Sequence, residues 1–180
     1  MKKMTIILAV MMLSWVVRGS LLPRGTSELD VSGLIDFKSY AGTAMGVDLA
    51  YGYFFVDYLE LAGRLQFSKD DNFTTWAVGP EAEYNFDIGT EIVPFIGGSF
   101  LYKQTDTKIS VTTETGTTRQ DEENDAIVFG LHGGVKYFIT EYMALSAALE
   151  LSLATKEVFP SDGDLSKSDA GIRLNMSVFF

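Results

Sequence analysis

The residue types able to do chemistry are few. His132 is the only histidine among 180 residues, and cysteine is absent. With no thiol there is no disulfide, no thiolate metal site and no cysteine nucleophile. His132 stands in the run GLHGGV, whose neighbours offer no nucleophile to activate and no carboxylate to orient the ring. It reads as a hydrogen-bonded interior side chain. The acidic runs DDNF (70–73) and DEEND (121–125) lack calcium-loop spacing. SDGDLSKSD (161–169) carries acids at alternate positions, Asp162 and Asp164, without the closing Glu. It reads as a solvated loop with weak cation binding at most. A metal site would need a second histidine or a dense carboxylate loop. No catalytic residue, cofactor or metal is therefore expected.

Charge at regular places is the stronger signal. Glu60, Arg64, Glu81, Glu83, Lys136, Glu150 and Arg173 lie among small residues on one side of segments whose other side is apolar. The segments alternate with period two, the mark of strands. They run near 29–37, 44–54, 59–67, 75–86, 92–103, 126–138, 143–152 and 169–180. In the third, for example, Leu59, Leu61, Gly63, Leu65 and Phe67 oppose Glu60, Ala62, Arg64 and Gln66. In the seventh, Met143, Leu145, Ala147, Leu149 and Leu151 oppose Ala144, Ser146, Ala148, Glu150 and Ser152. The fifth is less clean; Ile92, Pro94, Ile96, Gly98, Phe100 and Tyr102 are taken as its apolar face. About ten residues is what a tilted strand needs to cross a bilayer. The links alternate: tight at 54–58, 87–91 and 138–142, longer and polar at 38–43, 68–74, 104–125 and 153–168. At each tight link aromatics close one strand and an acid, Asp57, Glu91 or Glu141, precedes the next apolar run. The expected fold is all-β: an eight-stranded antiparallel up-and-down transmembrane barrel.

Alternation alone would also suit a soluble lipocalin-like barrel with the apolar face inward. Two features favour the reverse. Tyr53, Trp76, Tyr84, Tyr102 and Tyr137 sit on the apolar face near strand ends, as interface aromatics do. The opposite face combines small residues with both signs of charge, which can pair across a narrow lumen. A Lys or Arg facing lipid at mid-bilayer would instead cost about 2–4 kcal/mol. The seven charges named above are thus expected to form a lumen network rather than line an open channel. The first and last strands must pair, since an open edge in lipid leaves backbone groups unsatisfied.

The chain is acidic, with 14 Lys and Arg against 24 Asp and Glu, and a formal net charge of −10. That argues against nucleic acid as a partner. Four of the bases, Lys2, Lys3, Arg18 and Arg24, precede the first acid, Glu28. The start, MKK followed by MTIILAVMMLSWVV, reads as a signal peptide occupying part of 1–26. RGSLLPRGTS (18–27) also resembles a protease-site linker of the kind left by cloning. The barrel domain is expected over 27–180.

The signal segment, the turns GYFFVDYLEL and VKYFITEYMAL, and the closing IRLNMSVFF carry a resemblance. Together they resemble the small eight-stranded outer-membrane barrels of Gram-negative bacteria, the OmpX/OmpA type, over about 28–180. The resemblance implies a bacterial outer-membrane location and contact with outer-membrane lipid. It implies insertion by the barrel-assembly machinery, with Ile172, Leu174, Met176, Val178 and Phe180 as the C-terminal insertion signal. It also implies a monomer. A structural role in envelope integrity, or an adhesion-like surface role through the outer loops, is expected; a narrow porin-like channel for small solutes is the alternative. Barrel enzymes acting on lipid A or on proteins carry other histidine and carboxylate patterns. The stretch 104–125 alternates Ile109, Val111 and Thr113 with Ser110 and Thr112, and Thr115–Thr117 suits a turn. A hairpin projecting past the membrane there is the candidate surface for an extracellular partner.

Overall fold

Alternating side chains leave each strand one apolar face, and lipid on that side requires every backbone group to be paired. A closed sheet satisfies both demands. The computed structural model describes residues 21–39, 42–70, 73–113, 116–161 and 164–180. The basic and apolar start of the expected signal peptide lies outside them.

Among the described residues ten strands follow in order. They are β1 (Ser27–Ser39), β2 (Gly42–Val56), β3 (Leu59–Lys69), β4 (Phe73–Asn85) and β5 (Ile92–Thr113), then β6 (Gly116–Thr140), β7 (Met143–Ala154), β8 (Phe159–Ser161), β9 (Asp164–Ser166) and β10 (Ser168–Phe179). Eight of them close a barrel, each antiparallel to its neighbour, in the order β1-β10-β7-β6-β5-β4-β3-β2. The closing seam runs from Glu28–Phe179 to Val31–Met176. Ser27 and Phe180 extend it by donating N–H groups to each other's carbonyls at 2.8 and 3.0 Å.

The apolar faces point outward. Leu49, Leu61, Leu65, Ile96, Phe100, Leu131, Leu149 and Leu174 are all exposed. This excludes the lipocalin-like alternative, which needs them inside. On β5 the outward set is the one expected, with Val93, Phe95, Ser99 and Leu101 buried opposite. The tight turns lie at 57–58, 86–91 and 141–142, at the same end as both barrel termini. Tyr58 takes a left-handed φ of 67° in the first of them. Its hydroxyl donates to Asp87 Oδ2 at 2.6 Å, which ties two of the turns together.

Two of the longer links hold strand. The stretch 104–125 is mostly strand, in keeping with the hairpin expected there, and β5 and β6 reach 22 and 25 residues. Thr113 pairs with Gly116 and Thr112 with Thr117, so Gly116 and Thr117, expected in the turn, belong to β6. The loop 153–168 holds the small β8–β9 hairpin, which alternation over three residues is too short to reveal.

Candidate functional site

The lumen is built from the side chains opposite the apolar belt, and it is layered. At the turn end an apolar plug crosses it: Leu22, Phe54, Val93, Phe138, Ala144 and Phe179 form one buried cluster. Phe138 and Phe179 stack at 5.0 Å. Two of the turn motifs thus turn one aromatic inward each, Phe54 and Phe138, beside the bulges at 54–56 and 138–140. Leu22 is wholly buried there, and Leu21–Thr26 fold onto this end. Gly25 donates to the Phe54 carbonyl at 2.9 Å and Arg24 N to Asp57 Oδ1 at 2.7 Å. A boundary after residue 26 therefore divides the plug from the barrel it fills.

Above the plug stands Lys136. Its Nζ donates to Glu28 Oε1 and Oε2 at 2.7 and 2.8 Å. It also lies 2.7 Å from Glu83 Oε1 and 3.8 Å from Glu60 Oε2. The next layer centres on Arg64. Its Nε donates to Asp48 Oδ1 at 3.0 Å and its Nη2 to Asp48 Oδ2 at 2.5 Å. Nη1 and Nη2 reach Glu150 Oε1 and Oε2 at 2.9 and 3.0 Å, a bidentate pair across the lumen. Nη1 also donates to Glu81 Oε2 at 3.1 Å. Arg173 Nη1 approaches Glu81 Oε2 at 3.3 Å and Glu150 Oε2 at 3.7 Å.

All seven charges chosen from the sequence thus meet inside the barrel. Glu28 and Asp48 join them and were missed. Glu28 stands one residue ahead of the apolar run that defines β1, so the alternation did not reach it. Asp48 was legible as a charge between Val47 and Leu49, the same signal that picked out Glu60. Ser177 donates a hydrogen bond to Asp30 beside them. These pairs put six carboxylates (Glu28, Asp48, Glu60, Glu81, Glu83, Glu150) around three cations.

His132 departs from its expected role. It is buried on β6, yet neither ring nitrogen has a hydrogen-bond partner. Its Nε2 lies 3.7 Å from Glu81 Oε1 and 3.5 Å from Glu83 Oε2. Linear spacing concealed this trio, because β4 and β6 are brought together only through β5.

Toward the loop end a cavity of about 410 Å³ opens above Arg64, lined by Asp48, Gln66, Lys103, Glu150, Asp169 and Arg173 among others. A second apolar cluster closes over part of it: Ala77, Leu101, Ala126, Val128, Val158 and Phe159. Lys103 Nζ sits 4.3 Å from the centre of the Phe159 ring. The apolar dipeptide Val158-Phe159 within a polar loop was the available sign that this loop folds inward.

The aromatics chosen from the sequence form two tiers on the outer wall. Tyr53, Tyr84 and Tyr137 are exposed near the turn end. Trp76 and Tyr102 meet at 5.5 Å near the other. In β10, Ile172, Leu174 and Met176 are exposed outward and Val178 partly so, and Phe180, just past its end, is exposed too.

No protein-family model and no curated protein matches the chain. Solved structures do. Neisserial surface protein A is 18% identical, with 86% of this chain and 94% of that one covered and a TM-score of 0.58. The N-terminal β-barrel domain of Pseudomonas aeruginosa OprF is 18% identical, with coverages of 87% and 98% and a TM-score of 0.55. The outer membrane protein OprG from Pseudomonas aeruginosa is 11% identical, with coverages of 88% and 97% and a TM-score of 0.50. Identities this low speak for fold alone. The chain has the fold of the small eight-stranded bacterial outer-membrane β-barrels, and its outward apolar belt makes it a membrane-spanning one.

Proposed function

We propose that this is a monomeric, non-enzymatic outer-membrane barrel with a sealed lumen, acting through its loop end on the cell envelope or on partners outside the cell. The observation that carries the reading is the pairing of a buried charge network with an apolar plug across the same lumen. A conducting path would have to displace Phe54, Phe138 and Phe179 and then pass Lys136 and Arg64. The loop end offers contact surface instead. A bilayer crossing takes about 9–11 residues of tilted strand, and β5 and β6 are about twice that long. Their excess, within 104–125, projects as a two-stranded blade whose backbone edges can take a partner's strand.

In this reading the basic and apolar start, within 1–26, directs export. The alternating face of β10, ending on Phe180, is read by the insertion machinery, and the two aromatic tiers sit at the lipid boundaries. The porin-like alternative draws on the cavity above Arg64, whose lining includes the charged Asp48, Lys103, Glu150, Asp169 and Arg173. Planar-bilayer recordings on the refolded chain separate the two. A sealed lumen gives a flat baseline; steady openings in the nanosiemens range would replace it with the pore.

A further inference from the structure

Three strands place one row of residues side by side. Glu83 on β4 pairs with Gly97 on β5, and Gly97 pairs with His132 on β6. The middle position has no side chain, and a Cβ there would lie 2.3 Å from His132 Nε2. The imidazole thus crosses over β5 to reach the carboxylates of β4. Glu81, one pleat further on, completes the group, with one ligand atom from each residue all within 4.8 Å of one another.

The carboxylates divide their oxygens in two directions. Glu83 gives Oε1 to Lys136 at 2.7 Å and turns Oε2 toward His132. Glu81 gives Oε2 to Arg64 at 3.1 Å and turns Oε1 toward His132, with Arg173 Nη2 reaching that oxygen only at 3.5 Å. The two nitrogen–oxygen separations, 3.5 and 3.7 Å, exceed a hydrogen bond. They are close to the spacing of about 3.3–3.6 Å between ligands on a tetrahedral ion with bonds of about 2.0–2.2 Å. The imidazole itself is buried with both nitrogens unpartnered, a costly state for a polar group, and a metal bond would relieve it at Nε2. Six carboxylates facing three cations also leave this part of the lumen short of positive charge.

We propose that Glu81, Glu83 and His132 bind one divalent transition-metal ion of the zinc class inside the lumen, cross-linking β4 to β6. One imidazole and two carboxylates suit zinc or cobalt, whereas calcium and magnesium prefer oxygen alone. Water takes the fourth position. The ion is structural, and it fixes β4, which carries Glu81 and Glu83, to β6, which carries His132 and Lys136.

The test uses tag-free chain refolded in detergent with cobalt(II) as the probe. One equivalent is taken up with the visible bands of a four-coordinate ion, and zinc(II) displaces it. His132→Ala and Glu83→Gln lose those bands while keeping a boiling-dependent shift on SDS gels. Absence of stoichiometric uptake by the parent, or unchanged uptake by folded His132→Ala, overturns the site. A second measurement needs no variant. His132 is the only histidine, so its ring ¹⁵N signals are unambiguous in the parent protein. Zinc must move the Nε2 resonance at one equivalent; an unmoved signal rejects the proposal even if both variants fail to fold.

Discussion

Lys136 and Arg64 are both enclosed cations of one barrel, but they are kept in different company. The partners of Lys136 are as dry as it is: Glu28, Glu60 and Glu83 side chains are 1%, 6% and 5% exposed. Arg64 makes more hydrogen bonds, and one partner, Glu81, is 6% exposed, but Asp48 and Glu150 are 18% and 16% exposed and border the 410 Å³ cavity. The turn half of the lumen is therefore a dry ion cage over an apolar plug. The loop half is a wetter fork under a short hairpin. Counting bonds would rank Arg64 as the keystone. Counting what water can replace ranks Lys136 first, because a buried ion that loses its partner has no other solvation.

Lys136→Met makes the sharpest break and the largest expected effect. Three carboxylates would be left almost wholly buried without their cation. Removing one partner of such a cluster costs about 3–5 kcal/mol. Urea unfolding of the chain refolded into vesicles reads the loss. Arg64→Met should cost less in the same assay, since water from the cavity can take over Asp48 and Glu150. The reverse order would mean that the cavity is dry and that the two halves do not differ in hydration.

The two apolar clusters sharpen the same contrast. Phe138 is stacked on Phe179 and packed inside the plug. Truncation to Ala there leaves a void walled by strands, for a cost of about 3–5 kcal/mol. Phe159 is as well buried but belongs to a three-residue strand beside the cavity, where the hairpin can settle into the gap. Phe159→Ala should lose the transfer term alone, about 1.5–3 kcal/mol. Equal losses in the two variants would show that the loop-end cap is as rigid as the plug.

How much of this was legible in the sequence follows from which contacts are local. The wall was readable because every strand repeats one rule, apolar against lipid and small or charged inside, and the register cannot slip by one residue without turning that rule over. Leu61 and Arg64 declare their faces without knowing their neighbours. The lumen was readable only as a list of inward residues. Lys136 meets Glu28 across 108 positions, and Arg64 meets Glu150 across 86. Those meetings depend on the stagger of the closed sheet, which no single strand encodes. His132 is the clearest case. Its flanking glycines suggested isolation, while the glycine that mattered, Gly97, lies on another strand. The metal ligands proposed above are adjacent in space because that residue lacks a side chain. The β8–β9 hairpin escaped for a different reason: three residues are too few for a period to register.

The smallest effect belongs to the rim. Lys156 and Asp125 pair at 3.1 Å with side chains 64% and 50% exposed. The distance resembles the lumen contacts, but the surroundings do not. Water and salt solvate both groups in the folded and unfolded chain alike, and holding a long lysine in place costs rotamer entropy. Such a pair contributes about 0–1 kcal/mol. Lys156→Ala should therefore leave the urea midpoint nearly unchanged, and added salt should erase what difference there is. A loss matching that of Lys136→Met would mean that the loop end is packed as tightly as the plug and bears the fold. A negligible loss means that residues around the mouth are released from the demands of stability. Their identities are then free to vary, which is the freedom that the contact surface proposed for this end requires.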